Sequence, residues 1–174
     1  MTHQGGPRSY DDRPCWACDH FGGIPRRNYG AAWCRCPGGE HFRSQPERGC
    51  AFWTASSKPE VRIIVCGGRD YQDREAVFEA LDRLLVDKRV TLVIHGAAPG
   101  ADTIAGQWAE ARGIPVQPCP ADWKQFKSRA GPLRNAHMLT LKPDGVVAFP
   151  GGTGTADMTR QAEVAGVRVW RPFG

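Results

Sequence analysis

Two groups of residues have the types and spacing to do chemistry. The first is Phe149-Pro150-Gly151-Gly152-Thr153-Gly154-Thr155, preceded by the apolar run Gly145-Val146-Val147-Ala148-Phe149 and followed by a helical pattern from Ala156 to Gly166. Strand, glycine-rich turn and helix in that order can cradle a phosphate. Glycine lets the backbone approach a ligand closely, and the helix start offers unpaired N–H groups and a positive dipole end. The second group is Cys15, Cys18, Cys34, Cys36 and Cys50, five of the seven cysteines, all within the first third of the chain. Cys15-x-x-Cys18 is the spacing at which two thiolates reach one ion. Cys34 or Cys36, then Cys50, would complete a tetrahedral set, with His20 and His41 in reserve. Zinc is the expected metal, and an iron–sulfur cluster the alternative.

Other candidates stand at the ends of apolar runs. Gly67-Gly68 and the turn from Gly96 to Gly100 are two further glycine-rich strand ends, so three such turns can converge on one ligand. Arg69 can fork onto a phosphate or pair with Asp70 or Asp73. Asp102 can accept ribose hydroxyls or simply charge a helix start. Asn135 can meet a base edge or the local backbone. Trp123 can stack on a base or cover the sheet edge. His95 can shuttle protons, but the preferred reading is a packed ring. Asp157 in the last helix would repel a phosphate unless Arg69 or Arg134 stood near. Gly151, Gly152, Thr153, Gly154 and Thr155 are the expected phosphate ligands, although the same residues could make only a tight turn with an ordinary helix cap.

The elements that must position these groups follow from local patterning. The chain has 174 residues, 41% apolar and 24% charged, with a net charge of +5. That suits one ordinary domain with a small appendage, and the modest charge does not by itself call for nucleic acid. No apolar run reaches the roughly 18 residues of a membrane span. The first residues lack the apolar segment of a signal peptide, so a cytoplasmic protein is expected. Residues 1–12 read as a flexible tail. Residues 13–55, rich in Cys, Gly, Pro, Arg and Trp, show neither helical nor strand periodicity and have too little aliphatic content for a core of their own. A bound metal would be the staple. Residues 56–60 read as a linker.

From Val61 the texture changes. Val61–Cys66, Thr91–Ile94, Ile114–Val116, Asp144–Phe149 and Val167–Trp170 read as strands. Helices are expected after Asp73, over Ala101–Ala111, over Leu133–Leu141 and over Ala156–Gly166. Strands alternating with helices imply an α/β fold: a Rossmann-like, doubly wound parallel sheet over residues 61–174, preceded by the metal-stapled module. Ligands of such sheets bind at the carboxyl ends of the strands.

The motifs Cys66-Gly67-Gly68-Arg69-Asp70-Tyr71, His95-Gly96-Ala97-Ala98-Pro99-Gly100-Ala101-Asp102, Pro120-Ala121-Asp122-Trp123, Ala130-Gly131-Pro132-Leu133-Arg134-Asn135 and Phe149–Thr155 occur in that order. Together they resemble the YspA-like branch of the SLOG superfamily over about residues 60–174. The resemblance implies a Rossmann-like domain that binds nucleotides or nucleotide-derived ligands. Some relatives, the LOG enzymes, cleave base from ribose 5′-monophosphate, and another, DprA, binds single-stranded DNA. The LOG motif Pro-Gly-Gly-x-Gly-Thr-x-x-Glu matches at Pro150, Gly151, Gly152, Gly154 and Thr155, and Arg134 falls where the family has its upstream arginine. The glutamate position holds Met158, whose thioether cannot act as an acid or base.

The expected function is therefore nucleotide binding or sensing. The alternatives are N-glycosidic cleavage of a nucleoside monophosphate, with Arg134, Asp157 or Asp102 as catalytic candidates, and single-stranded nucleic-acid binding. A homo-oligomer remains open.

Overall fold

The computed structural model describes residues 14–23, 32–36, 39–43 and 54–173; of residue 36 and residues 39–43 it describes the backbone only. The larger part is a five-stranded, wholly parallel sheet in the order β6-β5-β4-β7-β8. Its elements are β4 (Glu60–Cys66), α1 (Arg74–Asp87), β5 (Arg89–His95), α2 (Ala101–Ala111), β6 (Val116–Pro118), α3 (Trp123–Phe126), α4 (Ala130–Thr140), β7 (Gly145–Ala148), α5 (Thr153–Val164) and β8 (Arg168–Trp170). A smaller antiparallel sheet precedes it: β1 (Phe21–Gly23), β2 (Ala32–Cys36) and β3 (Gly39–Arg43), entered through a single 3-10 turn at Cys15–Ala17.

The strands of the large sheet are apolar on both faces because helices cover both. Side chains alternate along a strand. Ile63 and Val65 of β4 therefore enter one core with Val77, Phe78, Leu81 and Leu85 of α1 and Ile104, Ala105 and Trp108 of α2. Ile64 and Cys66 point the other way, into a core with Met138 of α4 and Met158 and Ala162 of α5. Asp73 caps α1 by accepting the N–H of Ala76 at 2.9 Å. The strand expected over Ile114–Val116 runs instead over Val116–Pro118, and two helices begin earlier than expected. Helix α4 begins three residues before Leu133, with Pro132 in its first turn, where no intrahelical N–H is needed. Helix α5 begins at Thr153, so the glycine-rich loop itself supplies the first helical turn.

The chain winds outward from β4 through β5 to β6, then crosses back to β7 and β8. The winding reverses between β4 and β7, where sheets of this class open a crevice beyond the strand ends. The two strand ends are stitched together there: the Phe149 N–H donates to the Cys66 carbonyl at 2.8 Å, and the Gly68 N–H to the Pro150 carbonyl at 2.9 Å.

The Cys-rich segment, expected to lack strands, forms a three-stranded meander. Its strands are three and five residues long, too short and too irregular to show a period of two. Among the described residues it shows no core of its own. Cys15, Phe21 and Ala32 are buried in the same cluster as α1 and α2. The Trp16 indole N–H donates to the Arg112 carbonyl at 2.6 Å. The segment expected as a linker is tied down: the Ser57 N–H donates to Asp19 at 2.7 Å, Lys58 Nζ donates to the Leu85 carbonyl at 3.1 Å, and its last residue, Glu60, opens β4. The expected tail, residues 1–12, lies outside the described residues, as does Cys50. Among the described residues no helix is long and apolar enough to cross a membrane.

Candidate functional site

A cleft of about 300 Å³ opens at the reversal point. Its floor is the end of β4, with Cys66, Gly67 and Gly68. One wall is the start of α5, from Gly152 to Thr155, and the other is formed by Arg134 and Asn135 of α4 with Asp102 of α2. Arg69 and Trp123 close the rim, the guanidinium lying 5.4 Å from the indole centroid. Of the three turns expected to converge, those after β4 and β7 form the cleft, and the turn after β5 reaches it only through Ala98 and Asp102.

The glycines divide by cause. A Cβ on Gly67 would stand 2.5 Å from the Ala101 Cβ, so this glycine lets α2 close onto β4. Gly100 has φ +77°, and a Cβ there would meet the Gly68 carbonyl oxygen at 2.2 Å. On Gly96 a Cβ would strike the Arg134 guanidinium, which donates to the Gly96 carbonyl. Gly96 and Gly100, expected as ligand contacts, are thus held by packing and backbone conformation and do not line the cleft. Gly151 is confined by Thr155 and by the Gly67–Gly68 backbone. Gly152 and Gly154 are different: a Cβ on either meets nothing within 4 Å. Gly152 has an ordinary φ of −90° and no side chain caps the helix behind it, while Gly154 is in the first helical turn. The fold gives no reason for glycine at these two positions, and both face the cleft.

The polar groups are organised by Arg134 and Asn135. Arg134 Nε donates to Asn135 Oδ1 at 3.0 Å, and Asn135 Nδ2 donates to the Gly154 carbonyl at 3.2 Å and to Asp157 Oδ2 at 2.9 Å. The buried Asn135 therefore ties α4 to the start of α5. Guanidinium has five N–H donors. Two of Arg134's are engaged by these partners, which leaves donors for a ligand in the cleft.

Residues 61–126 match the family model of the YspA, cpYpsA-related SLOG family. The Gene 61 protein of Mycobacterium phage D29 is 39% identical over 116 residues, covering 62% of this chain and 93% of the phage protein. The chain belongs to the YspA, cpYpsA-related SLOG family. No solved structure matches it.

In this SLOG domain Met158, at the position of the LOG glutamate, is fully buried between α5 and the sheet, so that position faces the core. Asp157 does not line the cleft. Burial opposes its ionisation, but hydrogen bonds from Asn135, Arg160 and Gln161 outweigh burial and lower its pKa. It is a locked carboxylate, away from where a phosphate would sit. Cys66 does line the cleft, but burial first, and then the neighbouring Asp102, push its thiol up to about 12, so it stays protonated at neutral pH. His95 is buried, and its Nδ1 accepts the Ala97 N–H at 3.1 Å. Burial, then Arg134, lowers its pKa, which agrees with the packed-ring reading.

Asp102 is 4% exposed and accepts the Ala98 N–H at 3.3 Å. Burial raises its pKa above the ordinary 3.8, against the opposing pull of the Ala98 N–H, Arg134, the Gly96 N–H and Arg69. A carboxyl with a raised folded-state pKa favours folding fully below the unfolded value and loses that contribution as pH rises through the folded one. Replacement by Asn is expected to flatten the fall in stability above about pH 4, measured as urea midpoints across pH. An unchanged pH slope would show that Asp102 titrates as it does in the unfolded chain.

Sequence reasoning placed Cys66 only in a strand and motif, and it omitted Asp70, Ala98, Gly131 and Met138 from the site; all five line it. Asp70 was legible from its place after Arg69. Ala98, Gly131 and Met138 carry no chemical signal and are brought in by packing alone.

Around the small sheet the Cys15, Cys18 and Cys34 side chains are buried, and the Thr54 N–H donates to Cys18 Sγ at 3.4 Å. An N–H aimed at sulfur suits a metal-bound thiolate. Among the described residues no three His, Cys, Asp or Glu side chains group as a metal site. The side chain of Cys36 and all of Cys50 lie outside those residues.

Proposed function

We propose that the cleft binds a nucleotide or nucleotide-derived ligand, with its phosphate on the first turn of α5. One observation carries this reading: Gly152 and Gly154 are bare where neither backbone conformation nor packing requires it, on an uncapped helix start. Such a start attracts an anion through its free N–H groups and dipole. Gly151, Thr153 and Thr155 complete the loop, Arg69 and Arg134 neutralise the charge, and Asp102 and Asn135 address ribose or base. Membership of the SLOG family points to the same class of ligand.

Cleavage of the glycosidic bond is the second reading. It is favoured by one observation, the buried Asp102 carboxyl in the wall of the cleft, whose burial raises its pKa. Release of free base from nucleoside monophosphates, abolished in Asp102→Asn, would establish it.

For the cysteine module we propose a structural zinc ion held by Cys15, Cys18, Cys34 or Cys36, and Cys50. It would stabilise the small sheet and take no part in the chemistry of the cleft.

Native mass spectrometry of the purified protein tests both proposals. The expected spectrum contains one zinc per chain and a co-purifying nucleotide, and added mononucleotides raise the melting temperature. Absence of any response across a mononucleotide panel would overturn the cradle reading. Salt-dependent oligonucleotide binding without that response would transfer the site to single-stranded nucleic acid. A metal-free chain would overturn the zinc assignment.

A further inference from the structure

A second cleft, of about 290 Å³, lies on the other side of the same loop. Its walls include Phe149, Gly151 and Thr155 from the end of β7 and the start of α5, and Arg171 and Phe173 from the chain beyond β8. Thr155 lines both clefts. Gly151, which lines the second cleft, lies close against Thr155: a Cβ there would be 2.3 Å from Thr155 Oγ1. An anion at the start of α5 is therefore placed between two cavities. Each is at the lower end of the roughly 300–1,000 Å³ range of small-molecule sites, so one mononucleotide suffices to fill either.

The second cleft has the groups that a nucleoside linked through phosphate would use. Phe173 is 51% exposed and is backed by the buried Phe149, 6.1 Å away between ring centroids, so Phe173 offers an open aromatic face. Among the described residues Arg171 is paired with Glu163, at 2.7 Å, and both are about half exposed. An exposed pair of this kind is weak enough to exchange for a phosphate. Arg69 and Arg134 stand on one side of the helix start and Arg171 on the other, an arrangement that fits two linked phosphates better than one.

We infer that the intact site takes a pyrophosphate-linked dinucleotide, with one nucleoside in the first cleft, the pyrophosphate across the start of α5, and the second nucleoside against Phe173. This rests on the reading of the first cleft as a nucleotide site.

The test is isothermal titration of the full chain with AMP, ADP and the symmetrical dinucleotide diadenosine diphosphate, and with the corresponding guanosine, cytidine and uridine series. In the series that binds, the dinucleotide is expected to bind at least about ten-fold more tightly than the diphosphate, the gain from stacking one base. Phe173→Ala should remove that gap and leave monophosphate affinity unchanged, which also reports that the variant is folded. Arg171→Ala should reduce the gap. A dinucleotide bound no more tightly than its diphosphate, or a gap that survives Phe173→Ala, overturns the second subsite while leaving the first intact. If no member of any series binds, both the subsite and the nucleotide reading of the first cleft fall.

Discussion

Gly154→Ala is expected to stabilise the protein while weakening its ligand. Gly154 is in the first turn of α5, where a Cβ meets no neighbour within 4 Å. Alanine in a helix is favoured over glycine by about 0.5–1 kcal/mol. In a chain of this size each kcal/mol moves the melting temperature by about 2–4 °C, so a rise of a few degrees at most is expected. The added methyl occupies the space in which a phosphate must approach the backbone, and nucleotide affinity should fall at least about ten-fold, or about 1.4 kcal/mol. Gly154→Asp sharpens the contrast. A carboxylate in a first helical turn is itself stabilising, yet it repels the anion that the turn would bind. Thermal melts with and without nucleotide measure both effects on one sample. If stability and binding fall together in both variants, glycine at 154 belongs to the fold and the cradle loses its main support.

Asp82→Ala should produce the largest loss of stability. Asp82 and Arg112 are 3% and 7% exposed and make a forked pair: Arg112 Nε donates to Asp82 Oδ1 at 3.1 Å and Nη2 to Oδ2 at 3.0 Å. The Trp108 indole N–H adds a third hydrogen bond, to Oδ1 at 2.8 Å. Removing the carboxylate leaves a buried guanidinium and a buried indole N–H without it, a loss of about 3–5 kcal/mol. The melting temperature should drop by about 6–20 °C. The effect should extend into the small sheet. The Arg112 carbonyl holds the Trp16 indole, and its guanidinium lies 5.3 Å from the Trp16 ring centroid. Replacing Asp82 and Arg112 together by apolar residues should cost less than Asp82→Ala alone, since no charge is then stranded. A loss below about 1 kcal/mol in Asp82→Ala would mean that water reaches the pair.

The helix α2 was legible to the residue, because Gly100 before it and Gly113 after it punctuate a clean apolar face. The strand β4 was legible within one residue for a related reason. A β-branched run buried on both faces needs no partner to declare itself. Short strands are the opposite case. In β1, β2 and β3 too few residues alternate for a period to emerge, and what makes them strands is pairing with one another, Phe21 of β1 opposite Cys34 of β2 and Trp33 of β2 opposite Phe42 of β3.

Over residues 61–174 sequence alone determined the order of strands and helices, the glycine-rich strand ends and the family resemblance, because each depends on residues adjacent in the chain. It also identified Arg69, Asp102, Arg134, Asn135 and the Gly151–Thr155 loop as chemically able. Tertiary structure decided which of them meet. It separated Gly152 and Gly154, bare toward the cleft, from Gly67, Gly96, Gly100 and Gly151, which make room for Ala101, Arg134, the Gly68 carbonyl and Thr155. It turned Met158 into the core and locked Asp157 in hydrogen bonds. It also set Phe149 beside Phe173 as the wall of a second cleft. These are steric relations between segments distant in the chain, and no local pattern encodes the distance between two such segments once they pack.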